Sequence, residues 1–278
     1  MSAADRKVGL ALGGGGAKGL AHILALQVFD ELGIVPHRIA GTSIGSIIGA
    51  LYASGLNAKQ IEERIRAMIV SKGEPLRVAL RKHSVLKTFK LFDFNFGSKA
   101  ILKGDNFMDF LYETIRVKSF EDLNIPLRVA ATDFWTAEGV VIESGDLLPA
   151  VKASMALPGI FLPVERDGRV LIDGGGTNPL PYDVVEDCDI TVAIDVMGYR
   201  NSLDNDAPNL FRAISGTFDI MQKSIIAEKI ARRPPDIYIK PKIINISLLD
   251  FHEIDDILEQ AFPAREKLRN ELIKLLER

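Results

Sequence analysis

Short apolar runs alternate with longer amphipathic stretches along most of the chain. The short runs are rich in Val, Ile, Leu and Ala, and they predict strands at 7–12, 38–41, 127–132, 139–144, 170–173, 190–195 and 236–240. The longer stretches carry apolar residues at helical spacing, and they predict helices near 19–33, 44–54, 58–70, 105–116, 147–155, 210–231 and 253–277. This alternation predicts a three-layer α/β/α fold, in which helices cover both faces of a mostly parallel central sheet.

The same pattern predicts one domain over residues 1–278, because no repeat, low-complexity tract or Pro/Ser-rich linker divides the chain. Residues 71–106 are the least regular part, and we interpret them as a cap or an insertion. Residues 210–278 are expected to form a helical extension at the C-terminus, and Pro263 should kink or divide its last helix.

Composition narrows the classes of function. The chain has 34 basic and 37 acidic residues, so the net charge of -3 argues against a nucleic-acid partner. The single cysteine, Cys188, excludes an intrachain disulfide and a cysteine-based zinc site, and it is compatible with a reducing compartment. No run of 18 uncharged apolar residues occurs, so a cytoplasmic protein is expected.

Four consecutive glycines, Gly13 to Gly16, lie between the first predicted strand and the first predicted helix. Backbone amides at such a position bind anions. Three interpretations compete. The glycines at 14, 16 and 19 match a dinucleotide fingerprint, although the next strand lacks the acidic residue at its end; a phosphate loop requires Ser or Thr where Gly19 stands. The third is an oxyanion hole, a set of amides that stabilises a developing negative charge.

A candidate nucleophile supports the third interpretation. In "GTSIG", residues 41–45, the second predicted strand runs into a helix, and Gly41 and Gly45 leave room for a strained turn that exposes Ser43. The structural alternative is a serine that caps the helix. Lys18, just beyond the glycine loop, is expected to be a surface cation or to position the loop.

A serine nucleophile needs a base. Of the four histidines only His252 follows the candidate acids in the chain, and it lies in a charged stretch where a solvated side chain is expected. A carboxylate is the other candidate: Asp173 ends the predicted strand "VLID", and Gly174 and Gly175 follow it. Asp195 also ends a predicted strand, and it is a weaker candidate to face the site.

Taken in order, "GGGAKG" (14–19), "GTSIG" (41–45) and "DGG" (173–175) resemble the three signatures of patatin-like phospholipases. The segments "ASMALPGIFLPV" (153–164) and "NPLP" (178–181) resemble the compact bacterial members. The resemblance implies a patatin-like fold and a lipid acyl hydrolase with Ser43 as nucleophile and Asp173 as base. It also implies an oxyanion hole from the amides of Gly14, Gly15 and Gly16, motif glycines at 19, 41, 45, 174 and 175, a lipid or acyl-ester substrate, and no cofactor or metal.

Two alternatives stay open. The chain could be a non-catalytic lipid-binding or regulatory protein of the same fold, or a dinucleotide-binding oxidoreductase defined by the glycine loop alone. Residues 71–103 carry eight basic and two acidic residues among large apolar ones, a mixture that suits peripheral contact with an anionic membrane. The competing interpretation is a helix that packs its apolar face on the domain.

Overall fold

The computed structural model describes residues 6–71, 111, 113–199, 207 and 210–277. Its strands form one sheet that follows the path β5-β6-β3-β2-β1-β7-β8, and β4 pairs with β3. In chain order these strands are β1 (Val8–Leu12), β2 (Arg38–Thr42), β3 (Leu127–Asp133), β4 (Gly139–Ile142), β5 (Val164–Arg166), β6 (Arg169–Asp173), β7 (Ile190–Ile194) and β8 (Ile237–Ile239). The pairs within β3-β2-β1-β7-β8 are parallel, whereas β4, β5 and β6 pair antiparallel.

Helices cover this sheet. The α-helices with described bounds are α1 (His22–Leu32), α2 (Ile44–Ala53), α3 (Ala58–Ser71), α4 (Leu147–Ser154), α5 (Leu210–Arg232) and α6 (Ile254–Leu276). Short 3-10 helices occur at Gly16–Ala21, Phe120–Asp122, Gly174–Gly176, Tyr182–Val185 and Phe251–Glu253. In the described part of the chain, no helix is both long enough and apolar enough to span a bilayer. The α/β fold with a mostly parallel central sheet is confirmed.

The two faces of the sheet differ in side-chain size because successive strand residues point to opposite sides. Leu10, Leu12 and Ile39 bury one face in the main core, together with apolar residues of α1, α2 and α6. On the other face the strands present alanines, which lie under Leu180, Tyr182 and Val185 and under Ile226 of α5; they are Ala11, Ala40 and Ala193. Small residues there let the turn at 182–185 lie close to the sheet.

The register around β3 creates a junction between two strand ends. Ala130 pairs with Thr42, the last residue of β2. Ala131 pairs with Asp173, the last residue of β6. Both alanines also pair with β4. Because a strand has only two sides, β2 and β6 must lie on the same side of β3, opposite β4. Their carboxyl ends therefore meet head to head, about one residue step of 3.3 Å apart along β3.

Some of the predictions from the sequence are wrong, and others concern residues outside the described part of the chain. Pro263 does not divide the last helix, since α6 runs unbroken through it with Ile257, Ala261 and Leu268 buried on one side. The strand β5 is not predicted from the sequence. The predicted cap at 71–106 and the membrane-contact segment at 71–103 lie outside the described residues except for residue 71, so the membrane contact stays a prediction. Of the predicted helix at 105–116, only residues 111 and 113–116 are described.

Candidate active site

Ser43 lies at a strained turn between β2 and α2. Its backbone angles are φ 53° and ψ -124°, a conformation that costs roughly 1–3 kcal/mol for a residue with a side chain. Two glycines make the turn possible, because a Cβ at position 45 would lie 2.1 Å from the carbonyl oxygen of Leu12, and one at position 41 would lie 2.5 Å from Cα of Ser46. Such a turn presents the serine side chain at the N-terminus of a helix, as in the nucleophile elbow of hydrolases.

Asp173 is the last residue of β6, which runs towards the end of β2 from the opposite direction. Asp173 therefore lies next to the turn that holds Ser43. Its side chain is 2% exposed, and its Oδ1 accepts a hydrogen bond of 2.7 Å from the amide of Gly175. Burial raises the pKa of this carboxyl from 3.8 to about 6, and hydrogen bonds from the Gly175 amide and the Ser43 hydroxyl partly oppose that rise. The structure therefore brings Ser43 and Asp173 together, and it leaves the carboxyl basic enough to accept a proton near neutral pH.

The glycines after Asp173 allow close packing around it. A Cβ at Gly174 would lie 2.2 Å from the carbonyl oxygen of Ala130. One at Gly175 would lie 2.1 Å from Nε2 of Gln222, a buried side chain of α5. Asp173 is thus covered by β3 on one side and by α5 on another, and this cover is the source of its burial.

The glycine loop lies beside the elbow, but its amides differ in whether a backbone carbonyl accepts from them. A Cβ at Gly14 would lie 3.5 Å from Cβ of Ser43, and one at Gly19 would lie 2.2 Å from the Ile44 side chain. The Gly14 amide donates to the carbonyl of Pro179 at 2.9 Å, so it does not face the site as the sequence predicts. In the described part of the chain, no backbone carbonyl accepts from the amides of Gly15 and Gly16. These two are the donors left for an oxyanion.

His22 supports the glycine loop through a hydrogen bond to its first residue. Its side chain is fully buried, and Nε2 donates to the carbonyl of Gly13 at 2.8 Å. Burial lowers the pKa of the imidazole from 6.5 to about 4, against opposing contributions from the Gly13 bond and from Asp195, so the ring is neutral at physiological pH. Nδ1 has no hydrogen-bond partner among the described residues. His22 therefore acts as a support of the loop and is turned away from a role as base.

An apolar groove opens at Ser43. It holds about 440 Å³ of empty space, including the open mouth, and the described residues that line it, apart from Gly16 and Ser43, have hydrophobic side chains. One wall comes from α2 and from the chain after α4, and the other comes from the segment before α6: Ile44, Ile47, Met155, Leu157, Ile160 and Phe161 face Leu248, Leu249 and Phe251. The second wall is fixed to the glycine loop, because the Ala17 amide donates to the carbonyl of Leu248 at 2.8 Å.

Other candidates lie elsewhere or have different roles. His252 is a solvated residue, 53% exposed and 3.2 Å from Glu253, as the sequence predicts. Lys18 is not a surface cation: it is 6% exposed, and its aliphatic stem packs where a Cβ of Gly198 would lie. Asp195 is buried and contacts Tyr238 and Lys240. Within the described residues, no group of three His, Cys, Asp or Glu side chains is placed to hold a metal ion.

Sequence reasoning missed three contributors: the loop support from His22, the groove wall at Leu248, and Ser154, whose hydroxyl contacts the elbow. His22 gave a weak signal as a histidine within an apolar helix start. Leu248 gave none, because its contact with the loop joins distant parts of the chain. Ser154 lies in a segment singled out for its family resemblance alone.

Comparisons with known proteins identify the relatives of this chain. The family profile described as patatin-like phospholipase matches residues 10–185. An uncharacterised NTE family protein of Mycobacterium tuberculosis is 32% identical over 77% of this chain, and a lysophospholipase nte1 of Aspergillus fumigatus is 28% identical over 96% of it. The chain spans 58% of the length of the first of these relatives and 18% of the second.

Among solved structures, VipD of Legionella pneumophila has a similar fold, with a TM-score of 0.50 at 12% identity over 96% of this chain and 67% of that chain. At this identity the likeness concerns the fold alone. The profile match covers more than half of the residues and includes the glycine loop, the elbow and Asp173. The chain belongs to the patatin-like phospholipase family.

Proposed function

We propose that the protein is a lipid acyl hydrolase that cleaves carboxylic esters with Ser43 as nucleophile and Asp173 as base. The observation that carries the proposal is the junction at Ala130–Ala131, where a strained serine and a buried aspartate approach each other from two strand ends. The dinucleotide alternative needs an acidic side chain at the end of the second strand. That strand ends instead in Thr42, directly before Ser43.

The mechanism follows from the proton affinities of the two groups. Asp173 accepts the Ser43 proton while Oγ attacks the ester carbonyl carbon, and the resulting oxyanion is stabilised by the amides of Gly15 and Gly16. The intermediate collapses when the bond to the alcohol breaks, and the alcohol takes the proton from Asp173. Water then gives a proton to the same carboxylate and attacks the acyl-enzyme, so that a fatty acid leaves and Ser43 regains its hydrogen.

The groove supports an acyl chain as the group that Ser43 receives. Its hydrophobic walls bind a hydrocarbon favourably, and the described residues that line it include no charged partner for a polar head group, which then stays near the mouth. The lysophospholipase of Aspergillus and the phospholipase family agree with an ester of a phospholipid or a lysophospholipid. We take lysophosphatidylcholine as the first substrate to assay.

The test combines covalent labelling with hydrolysis. A fluorophosphonate probe should label the wild-type protein at Ser43, as mapped by peptide mass spectrometry, and Ser43→Ala should be neither labelled nor active on lysophosphatidylcholine. Ser54→Ala is the matched control, because its hydroxyl also donates to a backbone carbonyl, at the far end of α2. A wild-type protein that binds lipid vesicles without labelling or fatty acid release would support the non-catalytic alternative.

A further inference from the structure

The turn that ends α4 contacts the backbone of both proposed catalytic residues. The Ser43 amide donates to Oγ of Ser154 at 2.9 Å, and the same hydroxyl donates to the carbonyl of Ala130 at 2.6 Å. Two residues later, the carbonyl of Ala156 accepts from the Asp173 amide at 3.0 Å. Two residues of one turn, Ser154 and Ala156, therefore hold the amides of both residues at the junction of β2 and β6.

The Ser154 hydroxyl has one orientation available. It is fully buried, so water does not compete for it, and its only proton is directed at Ala130. Its lone pairs then face the Ser43 amide. That amide lies at the first turn of a helix, where backbone donors have no intrahelical acceptor, and leaving it unpaired would be costly even in this partly buried position.

We propose that Ser154 is a positioning residue that fixes the elbow so that the Ser43 hydroxyl is directed at Asp173. The proposal rests on the function proposed above. A residue at φ 53° tends to relax towards a common conformation, and the captured amide opposes that relaxation from one side. From the other side, Ser46 Oγ donates to the Ser43 carbonyl at 2.7 Å. The elbow is held at both of its peptide groups.

The same turn meets the substrate groove. Met155, between the two anchoring residues, lines the groove next to Ser43. Ser154 itself does not line it, so a change at Ser154 should affect the chemical step and leave the binding of the acyl chain largely unchanged. This separation of kcat from KM distinguishes a positioning role from a general loss of structure.

The test is the pair Ser154→Ala and Ser54→Ala, assayed on lysophosphatidylcholine and by the rate of fluorophosphonate labelling. We expect Ser154→Ala to lower kcat and the labelling rate by about 10²-fold, the scale of a small misplacement of a reacting group, with KM within about twofold of wild type. Ser54→Ala should keep wild-type kcat. Both variants lose one hydroxyl-to-carbonyl hydrogen bond, so comparison of their melting temperatures separates stability from positioning.

Two results would overturn the proposal. One is a kcat of Ser154→Ala within twofold of wild type; the other is a fall in kcat matched by an equal fall in Ser54→Ala. If Ser154→Ala does not fold, Ser154→Cys replaces it, because a thiol fills the site and is a weaker acceptor, and an unchanged kcat there has the same meaning. A wild-type protein without hydrolysis or labelling refutes the proposed function and the positioning role together, whereas an active wild type isolates the role of Ser154.

Discussion

Asp173 and Asp195 are both aspartates at strand ends of the same sheet, and they are 2% and 1% exposed. Their partners differ. Asp195 accepts hydrogen bonds from the Tyr238 hydroxyl at 2.6 Å and the Met197 amide at 2.9 Å, and its Oδ2 lies 2.9 Å from the ammonium of Lys240. Asp173 has the Gly175 amide and the Ser43 hydroxyl, and no cation among the described residues lies within ion-pair distance.

The difference separates a carboxylate with structural partners, Asp195, from the carboxylate proposed as the base, Asp173. A cation and a hydroxyl donor satisfy the charge of Asp195, so its lone pairs are engaged in holding β8 and the chain after β7 in place. Asp173 is buried without a cation, and its pKa rises to about 6. Both aspartates are buried, and what distinguishes the proposed base is a neighbouring hydroxyl and, among the described residues, the lack of a charged partner.

The largest expected effect separates the two aspartates by activity. Asp173→Asn removes the proposed proton acceptor, so kcat on lysophosphatidylcholine should fall by about 10³-fold, within the range for loss of a general base. Asp195→Asn should lower kcat by less than about tenfold, because its contacts are structural. His252→Ala is the control for a hidden triad and should stay within about threefold of wild type. Equal losses for the two aspartate variants would break the comparison.

The second effect concerns stability. In the unfolded chain the Asp173 carboxyl has its ordinary pKa of 3.8, and in the folded protein about 6, so between these values the folded state binds the extra proton. Stability is therefore lost as pH rises through this window, by about 3 kcal/mol. Asp173→Asn avoids that loss and should be more stable than wild type at pH 7, with the difference vanishing near pH 4.

Chemical denaturation at pH 4, 5.5 and 7 measures this difference. His22 binds its proton more weakly in the folded protein and destabilises it as pH falls below about 6.5, but this contribution is the same in both proteins and cancels. Asp195→Asn should change the free energy of unfolding in the opposite direction. It leaves Lys240 without its carboxylate and should destabilise the protein by about 2 kcal/mol at pH 7. If Asp173→Asn were less stable than wild type at pH 7, the buried Asp173 carboxylate would not be destabilising, and the explanation of its raised pKa by burial would be wrong.

The smallest effect is the pH dependence of activity. Asp173 must be ionised to accept a proton, so kcat/KM should fall as pH drops through about 6 and be about tenfold lower at pH 5 than on the plateau. Initial rates on a soluble short-chain nitrophenyl ester from pH 4.5 to 8 measure it. The limb cannot come from His22, whose pKa is about 4. A midpoint near 4 would mean that Asp173 is better solvated than its position indicates.

The sequence predicts the strands and the candidate residues well where the signal is local. Alternating apolar runs locate seven of the eight strands in the described part of the chain, and three ordered glycine motifs identify Ser43 and Asp173 as candidates. The missed strand, β5, is three residues long, yet its turn carries a local signal in Asp167 and Gly168, both with positive φ. An Asp-Gly pair between two polar-apolar runs would have indicated this hairpin.

Long-range contacts limit what can be inferred for the rest of the site. Gly14 belongs to the loop motif, but its amide is taken by Pro179, a residue that reaches it only through the folded sheet. Lys18 is charged and follows a glycine run, yet packing against Gly198 buries it. The pairing of Ser154 with the Ser43 amide joins a helix end to a strand end. None of these contacts leaves a periodicity or a spacing to detect.

The junction of β2 and β6 on one side of β3 also has a consequence for biosynthesis. Ser43 is synthesised early, β3 follows much later, and Asp173 arrives only when β6 has been made. Because pairing with the same strand brings the two strand ends together, a nascent chain that has folded its N-terminal β-α units still lacks Asp173, the proposed base. Hydrolytic activity should thus appear late during synthesis, after most of the sheet has formed, and its onset would time that assembly step.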